Sequence, residues 1–158
     1  MPTNQGGFVR RRRIFDNIIL VQEAMHSGLV RKEKGMVIKI DLANAYDRVR
    51  HSYLFEVLSC YGFDEGFRNW IKACIGEPWI SPLVNGCTAD FFKASRGLRQ
   101  GFPLSPLIYV LQASVLSRLL DRRRQDQDLL GIRMTREFQN INHTQFANDA
   151  LLIEGASS

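Results

Sequence analysis

The sequence has few cysteines, no long apolar run and no apolar stretch at its N-terminus. Its three cysteines, Cys60, Cys74 and Cys87, are spread along the chain and form no Cys-x-x-Cys pair. This pattern excludes a disulfide framework or a zinc site, and favours reduced thiols. The longest uncharged stretch, 101–117, contains prolines and is shorter than the roughly 20 apolar residues that span a membrane. We therefore expect an intracellular protein, in the nucleus or the cytoplasm, with no secretory signal and no membrane partner.

Positive charge is concentrated near the start of the chain. The formal net charge is +5, and the basic excess lies in residues 1–50, where Arg10, Arg11, Arg12 and Arg13 follow one another. Because clustered arginines attract polyanions, this segment favours contact with nucleic acid. A solvated helix start is an alternative interpretation, and a nuclear import signal is a third.

Apolar spacing predicts several helices. Apolar residues recur three and four positions apart over 14–29, 54–61, 67–75 and 104–119, which is the spacing of a helix face. We expect the first helix to end near Gly28. The apolar faces of the second and third helices are expected to form core.

Two predicted strand ends carry acids. Residues 36–40 form a short β-branched run that is typical of a buried strand, and Asp41 follows it. A hairpin is predicted over 144–153, with its turn at Asn148 and Asp149. Another hairpin is predicted around Asn85-Gly86, because both residue types accept a positive φ. Together these elements predict an α+β domain with helices packed on a small antiparallel sheet.

Acids from separate strands can converge on a divalent cation. Mg²⁺ takes oxygen ligands and usually keeps water or substrate phosphate in its shell. Paired ions of this kind can activate a 3′-hydroxyl and stabilise the leaving pyrophosphate during an in-line displacement. Acids at strand ends also commonly cap loops, so the spacing of Asp41 and Asp149 leaves both interpretations open.

Several segments resemble motifs of one enzyme family. Residues 38–49, IKIDLANAYDRV, resemble the first catalytic-aspartate motif of reverse transcriptases, and residues 96–106, RGLRQGFPLSP, resemble their R-G-L-R-Q-G-D-P-L-S-P motif. Residues 146–149, FAND, stand where the family has F-A-D-D, and residues 4–27 resemble its N-Q-x-x-F segment. The chain is identified as a central fingers and palm fragment of a non-LTR (LINE-type) retrotransposon reverse transcriptase, of a plant-like kind.

The resemblance implies an RNA-directed DNA polymerase, a nucleotidyltransferase that uses two Mg²⁺ ions. Asp41 and Asp149 would be its catalytic, metal-binding carboxylates, and Asn148 would occupy the position of a further catalytic aspartate. The partners would be an RNA template, a DNA primer and a deoxynucleoside triphosphate.

The same resemblance implies a set of binding residues. The carbonyl of Leu42 would help to hold the triphosphate-bound metal, and Tyr46 would act as a steric gate under the incoming sugar. Gln100 would be a polar contact in the nucleotide site. The template and primer would lie against Gly97, Arg99 and Gly101. The charge pattern adds Arg10, Arg11, Arg12 and Arg13 as expected phosphate contacts.

Three departures from the family motifs imply a loss of activity. Asn148 replaces an aspartate, Phe102 replaces another, and Arg11 replaces a glycine. Upstream fingers, thumb and endonuclease segments have no counterpart in the sequence, so we expect one partial domain over 1–158 with strand edges that favour self-association. An inactive reverse transcriptase fragment is therefore the leading interpretation. A non-catalytic nucleic-acid-binding remnant and a pseudogene product without function remain as alternatives.

Overall fold

The computed structural model describes residues 4–76, 78–134 and 140–155. Residues 44–105 form one compact unit, and the rest of the described chain forms another. We call these the second unit and the first unit. The secondary structure of the described chain is α1 Ile14–Val30, β1 Gly35–Asp41, α2 His51–Cys60, α3 Glu65–Ile75, β2 Trp79–Ile80, β3 Leu83–Val84, β4 Cys87–Thr88, β5 Phe92–Lys93, α4 Ser105–Gln125, β6 His143–Phe146 and β7 Asp149–Gly155.

The first unit contains a three-stranded antiparallel sheet in the order β1-β7-β6. Its core includes Ala24 of α1 and Ile153 of β7, both fully buried, together with Ile132. A long helix, a central strand and a loop residue thus share one apolar cluster. The expected combination of helices with small antiparallel sheets is confirmed, whereas the single-domain expectation stays a prediction.

The sequence-based interpretation of β1 as a buried strand is wrong. Met36 and Ile38 expose 57% and 43% of their surface, and most of the strand is open to solvent. The reason is its place at the edge of the sheet, where β7 is its only partner strand in the described part of the chain. Edge strands of this kind are the feature that favours association between chains. The first helix also runs past Gly28 to Val30.

The second unit is built around α2 and α3. Leu54, Val57 and Leu58 of α2 and Ile71 and Ile75 of α3 are buried, as the helical spacing predicts. Two other positions that were predicted to lie in the core, Trp70 and Cys74, are exposed.

Trp70 is 72% exposed, and Cys74 is also exposed. Each precedes a buried isoleucine by one residue, and one residue turns a helix by about 100°, which moves both side chains off the buried face.

The hairpin predicted around Asn85-Gly86 is confirmed. β3 and β4 pair directly, and Asn85 and Gly86 have φ values of 51° and 82°. Positive φ at both central residues is the type I′ pattern, which matches the twist of the flanking strands.

No helix in the described ranges is both long enough and apolar enough to cross a membrane. The three cysteines are all exposed and carry free thiols.

Candidate active site

Two acids meet at one end of the first unit's sheet. Asp41 is the last residue of β1, Asp149 is the first residue of β7, and the two are direct antiparallel partners. Direct cross-strand partners have Cβ atoms about 4.5–5.5 Å apart, with their side chains on the same face. The register therefore brings the two carboxylates within reach of a single cation, as their placement at strand ends predicts.

The turn beside these acids differs by one residue from the predicted one. Phe146 pairs with Asp149, so the two-residue turn consists of Ala147 and Asn148, and Asp149 belongs to the strand. Ala147 has a φ of 54°, and positive φ at the first central residue is typical of a type II′ turn. Glycine normally takes this position because a side chain disfavours the conformation. We call Ala147 and Asn148 the site turn.

Asn148 faces Asp41. Its Nδ2 lies 3.4 Å from Asp41 Oδ1, and its carbonyl accepts a 3.4 Å hydrogen bond from the backbone N–H of Leu42. The amide nitrogen thus contributes a donor where the family motif contributes a carboxylate. The Asp41 carboxylate therefore already has a contact within the protein, the Asn148 amide, on the side that faces the site turn.

Asp149 is paired with a lysine from β1. Lys39 Nζ lies 3.7 Å from Asp149 Oδ1, and the two side chains are 65% and 43% exposed. An ion pair this open contributes about 0–1 kcal/mol. A cation that is bound directly by Asp149 would therefore displace Lys39 at little cost in free energy.

The donor set fits one hard cation better than two. Asp41 and Asp149 supply two anionic groups, and Asn148 supplies one neutral amide. Within the described ranges, no three His, Cys, Asp or Glu side chains are grouped in a way that could hold a metal ion. Mg²⁺ is often bound by one or two carboxylates and completes its shell with water or phosphate, which suits this pair.

The second unit contains the glycine loop, residues 97–101, and the candidate nucleotide residue Tyr46. The N–H of Gly97 donates to Val49 O at 2.8 Å, and the N–H of Leu98 donates to Tyr46 O at 2.9 Å. Residues 46–49 and the glycine loop are therefore fixed to each other within the second unit. Burial raises the pKa of the Tyr46 hydroxyl, so this side chain stays neutral at physiological pH.

The backbone conformation of the loop favours glycine at positions 97 and 101. Gly97 has a φ of 97° and Gly101 a φ of 82°, in the region where L side chains are disfavoured. Arg99 and Gln100, between the glycines, are exposed, and Phe102 is half-buried where the family motif has a solvated acid.

His51 is a residue of this loop region that the sequence patterns did not single out. Its Nε2 lies 2.8 Å from Gly97 O, and its side chain is buried at the first turn of α2. This contact fixes the orientation of the peptide group between Gly97 and Leu98. No local motif marks it, because the contact joins residues that are distant in sequence.

The four clustered arginines have different roles in the structure. Arg10, Arg11 and Arg13 are exposed, whereas Arg12 Nη1 donates to Gln5 O at 2.6 Å. Arg11 has a φ of 67°, which explains why the family motif has glycine at this turn position. Three side chains of the cluster are therefore open to solvent, and the fourth ties down the chain that precedes them.

Comparison with known proteins agrees with this fold. Residues 1–156 match the family model described as reverse transcriptase (RNA-dependent DNA polymerase). The chain is 28% identical to the Pol polyprotein of the type-1 retrotransposable element R2 from Popillia japonica, over 87% of this chain and 22% of that protein. It is 27% identical to the transposon TX1 149 kDa protein of Xenopus laevis, over 95% of this chain and 11% of that protein.

Solved structures show the same architecture. Telomerase from Candida tropicalis, in a complex with a fragment of telomeric RNA, matches 97% of this chain and 25% of its own with a TM-score of 0.62. At 15% sequence identity, this likeness shows the fold alone.

The fold and the matched family model define the class of protein. The chain belongs to the reverse transcriptase (RNA-dependent DNA polymerase) family. Its similarity to the R2 and TX1 proteins identifies it as a reverse transcriptase fragment of the non-LTR retrotransposon type. It spans about a fifth of the length of the R2 polyprotein that it matches, and the plant-like subtype stays a prediction.

Proposed function

We propose that Asp41 and Asp149 form a divalent-cation site of the reverse transcriptase palm, and that Asn148 weakens this site below what nucleotidyl transfer requires. The observation that carries the proposal is the direct cross-strand pairing of Asp41 with Asp149 at the end of the sheet. The pairing is a property of the backbone, so it does not depend on which side chain stands at position 148.

Asn148 limits the chemistry that this site can support. An amide at position 148 carries no charge, and its Nδ2 faces the Asp41 carboxylate. Bound Mg²⁺ in this family would supply Lewis-acid activation of a hydroxyl and charge stabilisation of the leaving pyrophosphate. With two carboxylates, the chain would hold such an ion at Asp41 and Asp149 but would lack the charge to fix a second one.

The remaining predicted site residues complete this proposal. The Leu42 carbonyl, Tyr46 and Gln100 would contact the nucleotide and its metal. Gly97, Arg99 and Gly101 would approach template and primer, because glycine lets backbone come close to a ligand. The RNA template, the DNA primer and the deoxynucleoside triphosphate are the partners implied by the family.

A titration with Mn²⁺, followed by the electron paramagnetic resonance of the free ion, tests the site. We expect Asp149→Asn to weaken Mn²⁺ binding by about 10-fold or more, because loss of even a supporting group of a metal site costs about 10–100-fold. We expect Asn148→Asp to strengthen it by about 10-fold, since ligand charge sets affinity at oxygen-ligand sites.

Asp90→Asn is the matched control. Asp90 is exposed and is not one of the proposed ligands, so the variant changes net charge equally and should leave Mn²⁺ binding unchanged. Equal affinities for the unmodified chain and Asp149→Asn would refute the assignment of the site.

Non-catalytic binding of nucleic acid is a second candidate function, favoured by the exposure of Arg10, Arg11 and Arg13. Phosphate contacts carry no sequence information, so this binding should be weak and not sequence-specific. Replacing the three exposed arginines with glutamine should remove most RNA affinity. It should also reduce the slope of log affinity against log salt by about 2–3, since each contact contributes roughly 0.7–0.9.

Fluorescence anisotropy with a labelled RNA over a series of salt concentrations measures both quantities. Arg12 is left in place because it bonds to the Gln5 carbonyl. The control replaces the exposed residues Arg122, Arg123 and Arg133 with glutamine, which removes the same charge from another part of the chain. An equal loss in the two triple variants would show a general charge effect and would contradict a site at Arg10–Arg13.

A further inference from the structure

A buried segment lies against the strand that leads into the site turn. Residues 4–7, here called the N-terminal segment, run parallel to β6 through a bridge between Gln5 and Gln145. The N–H of Gly6 donates to Gln145 O at 2.8 Å, and the N–H of Gln145 donates to Asn4 O at 2.8 Å. Gln5 is fully buried by these contacts.

The side chain of Gln5 binds the site turn directly. Its Oε1 accepts one hydrogen bond from the Ala147 N–H at 3.0 Å and another from the Gly7 N–H at 2.9 Å. Ala147 is the turn residue with the positive φ. A single oxygen therefore satisfies the backbone donor of a turn residue whose own side chain disfavours the conformation that it adopts.

Gly7 packs against the same turn from the backbone side. A Cβ on Gly7 would lie 2.3 Å from Ala147 N and 2.9 Å from Ala147 Cα. Neither atom is the end of a flexible side chain, so any larger residue at position 7 would have to push the turn away. The N-terminal segment and the site turn are in direct backbone contact.

The other half of the Gln5 amide brings no stabilisation. Its Nε2 is buried and has no hydrogen-bond partner among the described residues, and an unsatisfied buried donor costs free energy. An apolar side chain of similar volume would avoid that cost. What Gln5 contributes is therefore the acceptor oxygen that it offers to Ala147 and Gly7.

Two further bonds anchor the N-terminal segment and the strand beside it, one for each. Arg12 Nη1 donates to Gln5 O, and Asn17 Nδ2 donates to Gln145 O at 2.7 Å. Both donors lie in or just before α1, so the segment is fixed between a helix and a strand. It is a rigid support for the turn.

We propose that Gln5 and Gly7 are positioning residues that set the conformation of the site turn and thereby hold Asn148 and Asp149 opposite Asp41. Gln5 acts through the Ala147 N–H, and Gly7 acts by allowing the backbone of the segment to approach Ala147. The effect on cation binding rests on the proposed function, whereas the effect on the turn does not.

Amide hydrogen exchange measured by NMR tests the effect on the turn. In Gln5→Met, which keeps the volume and removes the acceptor, the Ala147 amide should exchange about 10-fold faster, the consequence of losing one typical buried hydrogen bond. Gln5→Glu keeps the acceptor oxygen and should restore slow exchange. The amide of Ile153, which bonds to Asn142 O in the core of the same unit, reports local openings that leave the site turn closed and should keep its rate in both variants.

Gln112→Met is the matched control, because Gln112 Oε1 is buried without a hydrogen-bond partner among the described residues. The same substitution there removes an oxygen that accepts no bond from the described residues, and it should leave exchange at Ala147 unchanged. Gly7→Ala is a second variant and should accelerate exchange at Ala147 without removing the Gln5 side chain. Unchanged exchange at Ala147 in both Gln5→Met and Gly7→Ala, or failure of Gln5→Glu to restore it, would overturn the proposal.

The Mn²⁺ titration separates this proposal from the proposed function. If both hold, Gln5→Met weakens Mn²⁺ binding by several-fold while the Ile153 amide keeps its rate. If Asp149→Asn leaves Mn²⁺ binding unchanged, the cation site is refuted, and the exchange rate of Ala147 still decides the positioning role. If Asp149→Asn weakens binding and Gln5→Met accelerates exchange but leaves affinity intact, Gln5 positions the turn without tuning the site, and the second half of the proposal is refuted.

Discussion

Primer extension by an intact R2-type reverse transcriptase is expected to fall by about 10²–10³-fold or more when asparagine replaces the aspartate at the position of Asn148. The substitution removes one anionic group from a site whose task is to stabilise charge that develops in the transition state. In this chain the asparagine also places an amide nitrogen 3.4 Å from Asp41 Oδ1. The loss should therefore appear in kcat more than in the KM for the nucleotide.

Steady-state extension of a DNA primer on an RNA template measures the effect. The intact relative is the appropriate host, because this chain spans about a fifth of the R2 polyprotein. The control introduces phenylalanine at the position of Phe102, the other departure from an acidic motif residue, and should cost less since that side chain lies in a loop. Full activity of the asparagine variant would show that position 148 does not limit catalysis.

The sequence correctly predicted those elements whose conformation is determined by the residue types within them. Asn85 and Gly86 adopt the positive φ values of the predicted hairpin turn, because the residue types themselves favour that conformation. The strand ending in Asp41 and the hairpin containing Asp149 were also found, since β-branched runs and motif spacing are visible in the sequence. Their direct pairing follows from both strands lying in one sheet.

Contacts between residues that are distant in sequence could not be predicted from such local patterns. Gln5 bonds to Ala147 across most of the chain, and His51 holds Gly97 across the second unit. Neither pair has a local pattern, because a buried glutamine or histidine is recognised only by what surrounds it. The burial of β1 was overestimated for a related reason, since apolar composition does not distinguish an edge strand from a central one.

The stability of the first unit is expected to fall as pH decreases below about 6.5, the ordinary pKa of histidine. His143 is fully buried in β6. Its Nδ1 lies 2.7 Å from Asn142 Oδ1, and its Nε2 lies 2.9 Å from Ser117 Oγ and 3.2 Å from Asn4 Nδ2. The two asparagine amides suit a neutral ring that donates from Nδ1 and accepts at Nε2.

Burial lowers the pKa of His143, and Arg124 lowers it further, while Asp121 acts in the opposite direction. Because the pKa in the folded state lies below that in the unfolded state, the unfolded chain binds more protons between these two values. The contribution of His143 to stability is therefore complete above the unfolded pKa and is lost as pH falls toward the folded one. For this single proton the slope has an upper limit of about 1.4 kcal/mol per pH unit.

Urea unfolding at several pH values between 7.5 and 5.5, a range above the ordinary titration of carboxylates, measures this slope. His143→Gln replaces the ring with a side chain that has a donor and an acceptor but does not titrate in this range. This variant should start from a lower free energy of unfolding and lose the pH dependence. His26→Gln, at an exposed position of α1, should keep the slope of the unmodified chain. A free energy of unfolding that stays constant from pH 7.5 to 5.5 in the unmodified chain would contradict a buried neutral His143. It would mean that the negative charge of Asp121 offsets the cost of burying a protonated His143.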